Sequence, residues 1–404
     1  MTVVFVNRYG HPDHSATSQI LSDLAASLAA AMPVAIIASR QRYDDPAARL
    51  PSSEQWQGVA IHRIWTSRFG RSRLLGRAID YLTFYLSLPF TLIALLGRGD
   101  VVVAMTDPPL VALVVAPIAW LRGARLVNWL QDVFPEVAVA LGERAVPRPL
   151  AWLLRTLRNR ALRQADVNVV IGTRMAEYLV SQGIAKERLQ TIPNWAHEED
   201  IRPMPSEHSE LRKTLGLAGK FVVGYSGNLG RAHDPDTIFD AATLLADSDD
   251  IVFLIIGGGH AYEHLRQRVS ESGLKNFRFL PYQSRDRLSD SMAAADLHLV
   301  SLRPALEGRI VPSKFYGIAA AERPIAFIGD PDGELARLIA DNDCGFSVAP
   351  GQATQLADRI RTMARDEESG LSRGRRARLM LATQFSRAQA HRQWQVLLNA
   401  RVSS

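Results

Sequence analysis

A chain of 404 residues, 47% of them hydrophobic, holds enough apolar material for two or three packed domains, which excludes a disordered or fibrous protein. Its net charge of +6 and pI near 9.6 favour anionic partners (nucleotide phosphates, nucleic acid or an anionic membrane surface) without choosing among them. Cys344 is the only cysteine, which excludes an intrachain disulfide and a cysteine-based zinc site and fits a reducing compartment.

The opening MTVVFVNRYG enters an apolar strand directly, with no basic region, long apolar core or small-residue cleavage site, so no secretory signal is expected and the cytoplasm is the default location. Thr2 to Asn7 reads as that strand, Arg8 to Thr17 as a loop, Ser18 to Met32 as a Leu- and Ala-rich helix, and Val34 to Ser39 as a second strand. This β-loop-α-β order opens a doubly wound parallel sheet, in which ligands sit beyond the carboxyl ends of strands. His11, Asp13 and His14 lie in that first loop and are candidate acceptor contacts, although a polar turn bonding its own backbone has the same composition.

Tyr81 to Leu96 is apolar over about 16 residues and contains Pro89, which falls short of the roughly 20 a spanning helix needs. With Arg68, Arg71, Arg73 and Arg77 before it and Phe84, Tyr85, Leu88 and Phe90 within it, the stretch reads instead as a peripheral membrane surface or a buried helix with a basic approach. Val101 to Leu121 is interrupted by Asp107-Pro108-Pro109 and is not a span either. Its start is a strand ending in Thr106 and Asp107, where a carboxylate is placed to orient or deprotonate an attacking hydroxyl. Leu126 to Leu130 is a further strand, followed by Gln131, Asp132, Val133, Phe134, Pro135 and Glu136. Asp132 and Glu136 are candidates on the acceptor side, or carboxylates favoured at a helix start. Pro147 to Arg163 carries Trp152, Leu153, Leu154, Leu157 and Leu162 among arginines at helical spacing, the pattern of a solvated basic face over a core.

Three prolines and few apolar residues make Ile192 to Glu207 a linker. The alternation then restarts, with strands expected at Phe221 to Tyr225, Val252 to Ile256, Phe277 to Leu280, Leu297 to Val300 and Pro324 to Ile328. Two similar Rossmann-like domains joined near residue 200 and facing across a cleft follow from this. Glycine-rich turns are expected at Ser226-Gly227-Asn228-Leu229-Gly230-Arg231 and at Gly257-Gly258-Gly259-His260, where a backbone approaches a ligand closely and Arg231 is placed to grip a diphosphate. Further on, Pro312-Ser313-Lys314 precedes an apolar helical run, so Ser313 and Lys314 stand at a helix start that suits a phosphate. Lysine is otherwise confined to positions 186, 213, 220 and 275, so Lys314 is not drawn from a lysine-rich background. Gly turns, an Arg and a cationic helix start at the strand ends of one domain make the case for a nucleoside-diphosphate site.

These residues, taken in order, resemble glycosyltransferase family 4, the retaining nucleotide-sugar transferases of GT-B fold. The resemblance rests on YSGNLGRAHDPDTIFDAA, FLIIGGG, FRFLPY, ADLHLVSL and the stretch from Glu307 to Pro324; QDVFPE, IPNW, GNLGRA and VPSK are similar to strings in the O-antigen and colanic-acid branch. It implies an α/β protein of two doubly wound parallel-sheet domains: 1–200 for the acceptor, 201–385 for the donor, and a helix within 386–404 packing back on the first. It implies sugar transfer from a nucleotide donor, commonly a UDP-sugar, to a polyprenyl-diphosphate-linked saccharide at the inner face of the cytoplasmic membrane. No cofactor, metal or nucleic acid is implied.

By position, Gly227, Asn228, Gly230, Arg231, Ser313 and Lys314 would hold the diphosphate. Gly257, Gly258, Pro281, Tyr282 and Gly308 would face the donor sugar and nucleoside. Glu307 would orient sugar hydroxyls, and Asp107 or His11 the acceptor, with Asp13, His14, Asp132 and Glu136 beside them. The family's Gly-Arg and, five residues later, Lys are Asn228 and His233 here; Gly317 stands at its second glutamate, and Glu322 where glycine is usual. A UDP-N-acetylglucosamine 2-epimerase-like enzyme and a non-catalytic membrane-peripheral member of the fold remain alternatives.

Overall fold

A computed structural model describes residues 1–404 except 44, 46, 71–73, 143–145, 197–200 and 401–404. Arg71 and Arg73, expected in a basic approach, and residues 197–200 of the linker lie outside the described residues. The chain forms two compact units, one of residues 1–193, 308–310 and 390–404, the other of residues 194–307 and 311–389.

The first unit is built on eight strands: β1 (Val3–Val6), β2 (Val34–Ser39), β3 (Ser53–Trp56), β4 (Val59–Ile64), β5 (Val101–Met105), β6 (Arg125–Leu130), β7 (Val167–Val170) and β8 (Leu189–Thr191). They stand in the order β3-β4-β2-β1-β5-β6-β7-β8. All neighbours are parallel except β3 on β4. Val3 to Val6 are wholly buried, as continuous apolar runs require in a sheet covered on both faces. The order reverses between β1 and β5, which sets the carboxyl ends of those two strands, Arg8 and Asp107, side by side: the Arg8 amide donates to the Asp107 carbonyl.

The second unit has six strands, β9 (Phe221–Asn228), β10 (Ile251–Gly258), β11 (Phe277–Leu280), β12 (Leu297–Ser301), β13 (Ile325–Ile328) and β14 (Gly345–Val348). Their order is β11-β10-β9-β12-β13-β14, all parallel. Each unit is thus a parallel α/β domain, as expected.

Three expectations are corrected. The apolar helix begins at Leu74 and runs 22 residues to Leu95, long and apolar enough by length and composition to cross a membrane; Arg77 and Asp80 interrupt the apolar run and hide its first turns in the sequence. Only a stripe, Phe84, Leu88 and Leu92 with Leu96 just beyond, is buried, and Asp80, also buried, accepts from the Arg8 guanidinium and the Gly70 amide. The helix Arg148–Gln164 matches a solvated basic face over a core only in part: Leu162 is buried and Arg148, Arg160 and Arg163 are exposed, but Trp152 and Leu153 are exposed as well and Arg158 is buried against Glu136. The Gly turns at 226–228 and 257–258 are the paired ends of β9 and β10, with Gly227 opposite Gly257.

Candidate active site

The second unit gathers its chemistry at the carboxyl ends of β9, β10 and β12. Lys314 opens the helix Lys314–Ala320, whose Phe315, Ile318 and Ala319 are buried and so fix its orientation. The Lys314 ammonium lies 3.7 Å from the centroid of the Tyr225 ring, donates to the Tyr225 hydroxyl, and reaches the Asn228 carbonyl at 3.2 Å. The Tyr225 hydroxyl donates to that same carbonyl at 3.1 Å. Among the described residues no carboxylate pairs with Lys314, and burial pushes its pKa well below the usual lysine value. Every partner of this cation is neutral, which leaves a charge in search of an anion.

The glycines here have unequal reasons. A Cβ on Gly257, at φ +139°, would lie 2.1 Å from the Gly227 carbonyl oxygen, and one on Gly259 2.3 Å from the Asn228 side chain, so these two are demanded by contact between neighbouring segments. Gly227, at φ +113°, faces open space, with only the Lys314 side chain 3.9 Å from where its Cβ would stand. Gly230 would meet only the Asn228 side chain, and Gly258 would touch the ring of Tyr282, which is 60% exposed over it beside the exposed Pro281. Ser313 is exposed and its side chain makes no capping bond. Arg231 is exposed. Gly227 and Asn228 therefore stand against Lys314 and Tyr225, with Gly230 beside Asn228 and Gly258 beside Tyr282.

His233 is buried and holds Nδ1 on the Ser301 carbonyl at 2.5 Å, its ring edge-on to Tyr225. Since a carbonyl only accepts, Nδ1 carries the proton; burial, and then Lys314 nearby, lower the pKa to about 3, so the ring is neutral. Arg303, which the sequence did not single out, follows β12 and donates from Nε to the His233 carbonyl at 3.2 Å. Glu307 uses Oε1 to accept from the Glu334 amide at 2.9 Å, capping the helix Glu334–Asp341, and Gly333 leaves room for it. Gly308 does not join the donor group: it packs at φ +69° against the Arg174 carbonyl within the first unit.

The acceptor-side candidates lie in the first unit and differ in what remains of them for a ligand. Asp13 is buried, with its carboxylate accepting from the Ser15 and Tyr43 amides, which makes it a turn former. His11 stacks on Trp56 with ring centroids 4.1 Å apart, and burial lowers its pKa. His14 is exposed and gives its carbonyl to Gln19. Glu136 is held by Arg158 at 2.9 and 3.2 Å and by the Tyr178 hydroxyl at 2.7 Å. Asp132 differs: its Oδ1 is enclosed without a hydrogen-bond partner, and burial, with Asp107 near, raises its pKa to about 7. With Thr106 it lines a small cavity of about 40 Å³ that is otherwise mostly apolar. Among the described residues no group of three His, Cys, Asp or Glu side chains is placed to hold a metal ion.

Known proteins bear on this geometry. The family model described as a glycosyl transferase 4-like domain matches residues 16–195, and that for glycosyl transferases group 1 matches residues 207–380. The probable glycosyltransferase WbjE of Pseudomonas aeruginosa is 30% identical over 293 residues, covering 72% of each chain. The putative colanic acid biosynthesis glycosyl transferase WcaI of Escherichia coli (strain K12) is 28% identical over 225 residues, 55% of each chain. Among solved structures, Anabaena Alr3699/HepE in complex with UDP-glucose superposes with a TM-score of 0.72 over 98% of this chain and 99% of that one, at 18% identity, a likeness of fold.

Proposed function

This chain belongs to glycosyltransferase family 4, with the GT-B fold and a type of bacterial polysaccharide biosynthesis, and from that premise we propose that it moves a sugar from a UDP-sugar to a lipid-linked saccharide with retention of anomeric configuration. The observation that carries the donor half is Lys314, a cation enclosed among Tyr225, Asn228 and Gly227 with no carboxylate partner among the described residues. Departure of a nucleoside diphosphate develops negative charge on its terminal phosphate. A cation fixed in advance, with little water to reorganise, stabilises that charge as the glycosidic bond breaks. The diphosphate, leaving from the face on which the acceptor attacks, takes the acceptor's proton itself, which gives retention without an enzyme nucleophile or a metal. The uracil base is the choice favoured by the likeness in fold to a protein solved with UDP-glucose.

For the acceptor half, the support is an exposed apolar face on the first unit. The helices Leu74–Leu95, Ala112–Arg122 and Arg148–Gln164 pack side by side, and Leu82, Leu86, Phe90, Trp120 and Trp152 stand more than half exposed on them. Basic residues Arg68, Arg122 and Arg148 are exposed around it. An apolar face with cationic neighbours suits peripheral attachment to an anionic bilayer, where a polyprenyl-linked acceptor resides.

Calorimetry of the purified protein against UDP, GDP, ADP and TDP without added metal tests the donor half. Micromolar binding of UDP that disappears in Lys314→Ala is the expected result; binding unchanged in that variant would remove Lys314 from the site.

A further inference from the structure

A diphosphate spreads its charge over two phosphoryl groups, and a single lysine is a small counter-charge for it. Asn228 carries no charge, and neither does His233: its ring donates from Nδ1 to the Ser301 carbonyl and is buried near two cations that both disfavour its protonation, Lys314 and Arg303. Arg303 is therefore close to the same ring as Lys314 but approaches it from β12 and not from the helix start.

Its placement is fixed twice. The Arg303 amide donates to the Ala232 carbonyl, and Nε donates to the His233 carbonyl at 3.2 Å, so both backbone and side chain of Arg303 are fastened to the loop that follows β9. That fastening spends Nε and leaves the two terminal nitrogens with no hydrogen bond and no carboxylate among the described residues; the residue itself is exposed. An arginine held by Nε presents its terminal pair in a fixed fork, the arrangement that grips two phosphate oxygens at once. Its neighbour Arg231 is exposed as well but has no such anchor.

Resting on the diphosphate reading above, we propose that Arg303 is a second binding cation for the donor diphosphate, seated on the backbone carbonyl of the neutral His233, whose ring stands edge-on to Tyr225. The pairing divides the work: Lys314 supplies a partly buried point charge, and Arg303 supplies a solvent-facing fork already set in place.

The test is titration calorimetry of wild type, Arg303→Gln and Arg303→Lys with UDP and UMP, with thermal melting of each variant. Arg303→Gln is expected to weaken UDP about tenfold, the cost of one charge-assisted contact, and UMP by less. Arg303→Lys is expected to recover part of the loss, and the melting temperature to stay put because the side chain is exposed. UDP affinity unmoved in Arg303→Gln, or an equal loss for UDP and UMP, overturns the proposal while leaving the Lys314 site standing. No binding of any nucleoside diphosphate by wild type takes down the diphosphate reading and Arg303 with it.

Discussion

Lys314 and Tyr225 form a cation pair with no anion in it: the ammonium sits 3.7 Å from the ring centroid and donates to the hydroxyl of the same side chain. The ring face and hydroxyl return only part of what the lysine loses on leaving water. The unliganded protein is thus less stable than it would be without that charge. Lys314→Met keeps the length and removes the charge. It is expected to raise the melting temperature at pH 7 while abolishing UDP binding, a trade between stability and function read from one melting curve and one titration.

Glu322 adopts φ +59° at the end of the helix Lys314–Ala320, a left-handed position that costs a side chain about 1 kcal/mol and costs glycine nothing. Glu322→Gly should therefore hold or raise stability despite the freedom it adds to the unfolded chain. Gly374 faces the same place: a Cβ there would lie 2.2 Å from the Glu322 carbonyl oxygen. Gly374→Ala is expected to destabilise by about 1–3 kcal/mol, visible as a lower denaturant midpoint.

Asp132 gives the first unit a pH dependence of definite sign. Its pKa is about 7 in the folded protein against 3.8 for the unconstrained side chain, so between those values the folded state binds the extra proton. Stability contributed by this residue is fully present below about pH 4 and is lost progressively as pH rises from there through about 7. Asp132→Asn should flatten the change in urea midpoint between pH 5 and pH 8.5 and make the protein more stable at the upper end. An unchanged slope would place the proton elsewhere.

The apolar face predicts a separation of binding from folding. Phe90 is 78% exposed and Trp120 84%, so charged residues at those sites disturb little inside the protein. Phe90→Glu with Trp120→Glu is expected to abolish sedimentation with vesicles containing phosphatidylglycerol, with the melting temperature and UDP affinity unchanged. Retained sedimentation would move the attachment surface off these helices.

Lys314 was legible because a proline, a serine and a rare lysine preceded an apolar helix, and the strand ends were legible from apolar runs stopped by glycine. What did not show in the sequence depends on contacts across it. Arg303 is one arginine among many until β12 brings it to the His233 carbonyl. The periodicity of 147–163 gives the helix and the exposure of Arg148, Arg160 and Arg163, but not Arg158, which turns inward to meet Glu136. The strand ends at Gly227 and Gly257 read as loops because glycine resists strands, yet here it is their close approach that requires it. Asp13 has the loop position and chemistry of an acceptor contact, yet one of its oxygens accepts from the Ser15 amide of its own loop and the other from the Tyr43 amide beyond β2.

Trp394, wholly buried, tilts against Trp129 at 4.7 Å, His391 meets Asp23 at 3.1 Å, and the Arg125 guanidinium holds the carbonyls of Leu398 and Ala400. All of these partners belong to the first unit, although nearly two hundred residues of the second are threaded in between. During synthesis Trp129 therefore stays uncovered until the helix Arg387–Asn399 has been made and has left the ribosome. A premature stop a few turns short of that point would leave every strand in place and still release a protein with an open core, one that quality control recognises as unfinished.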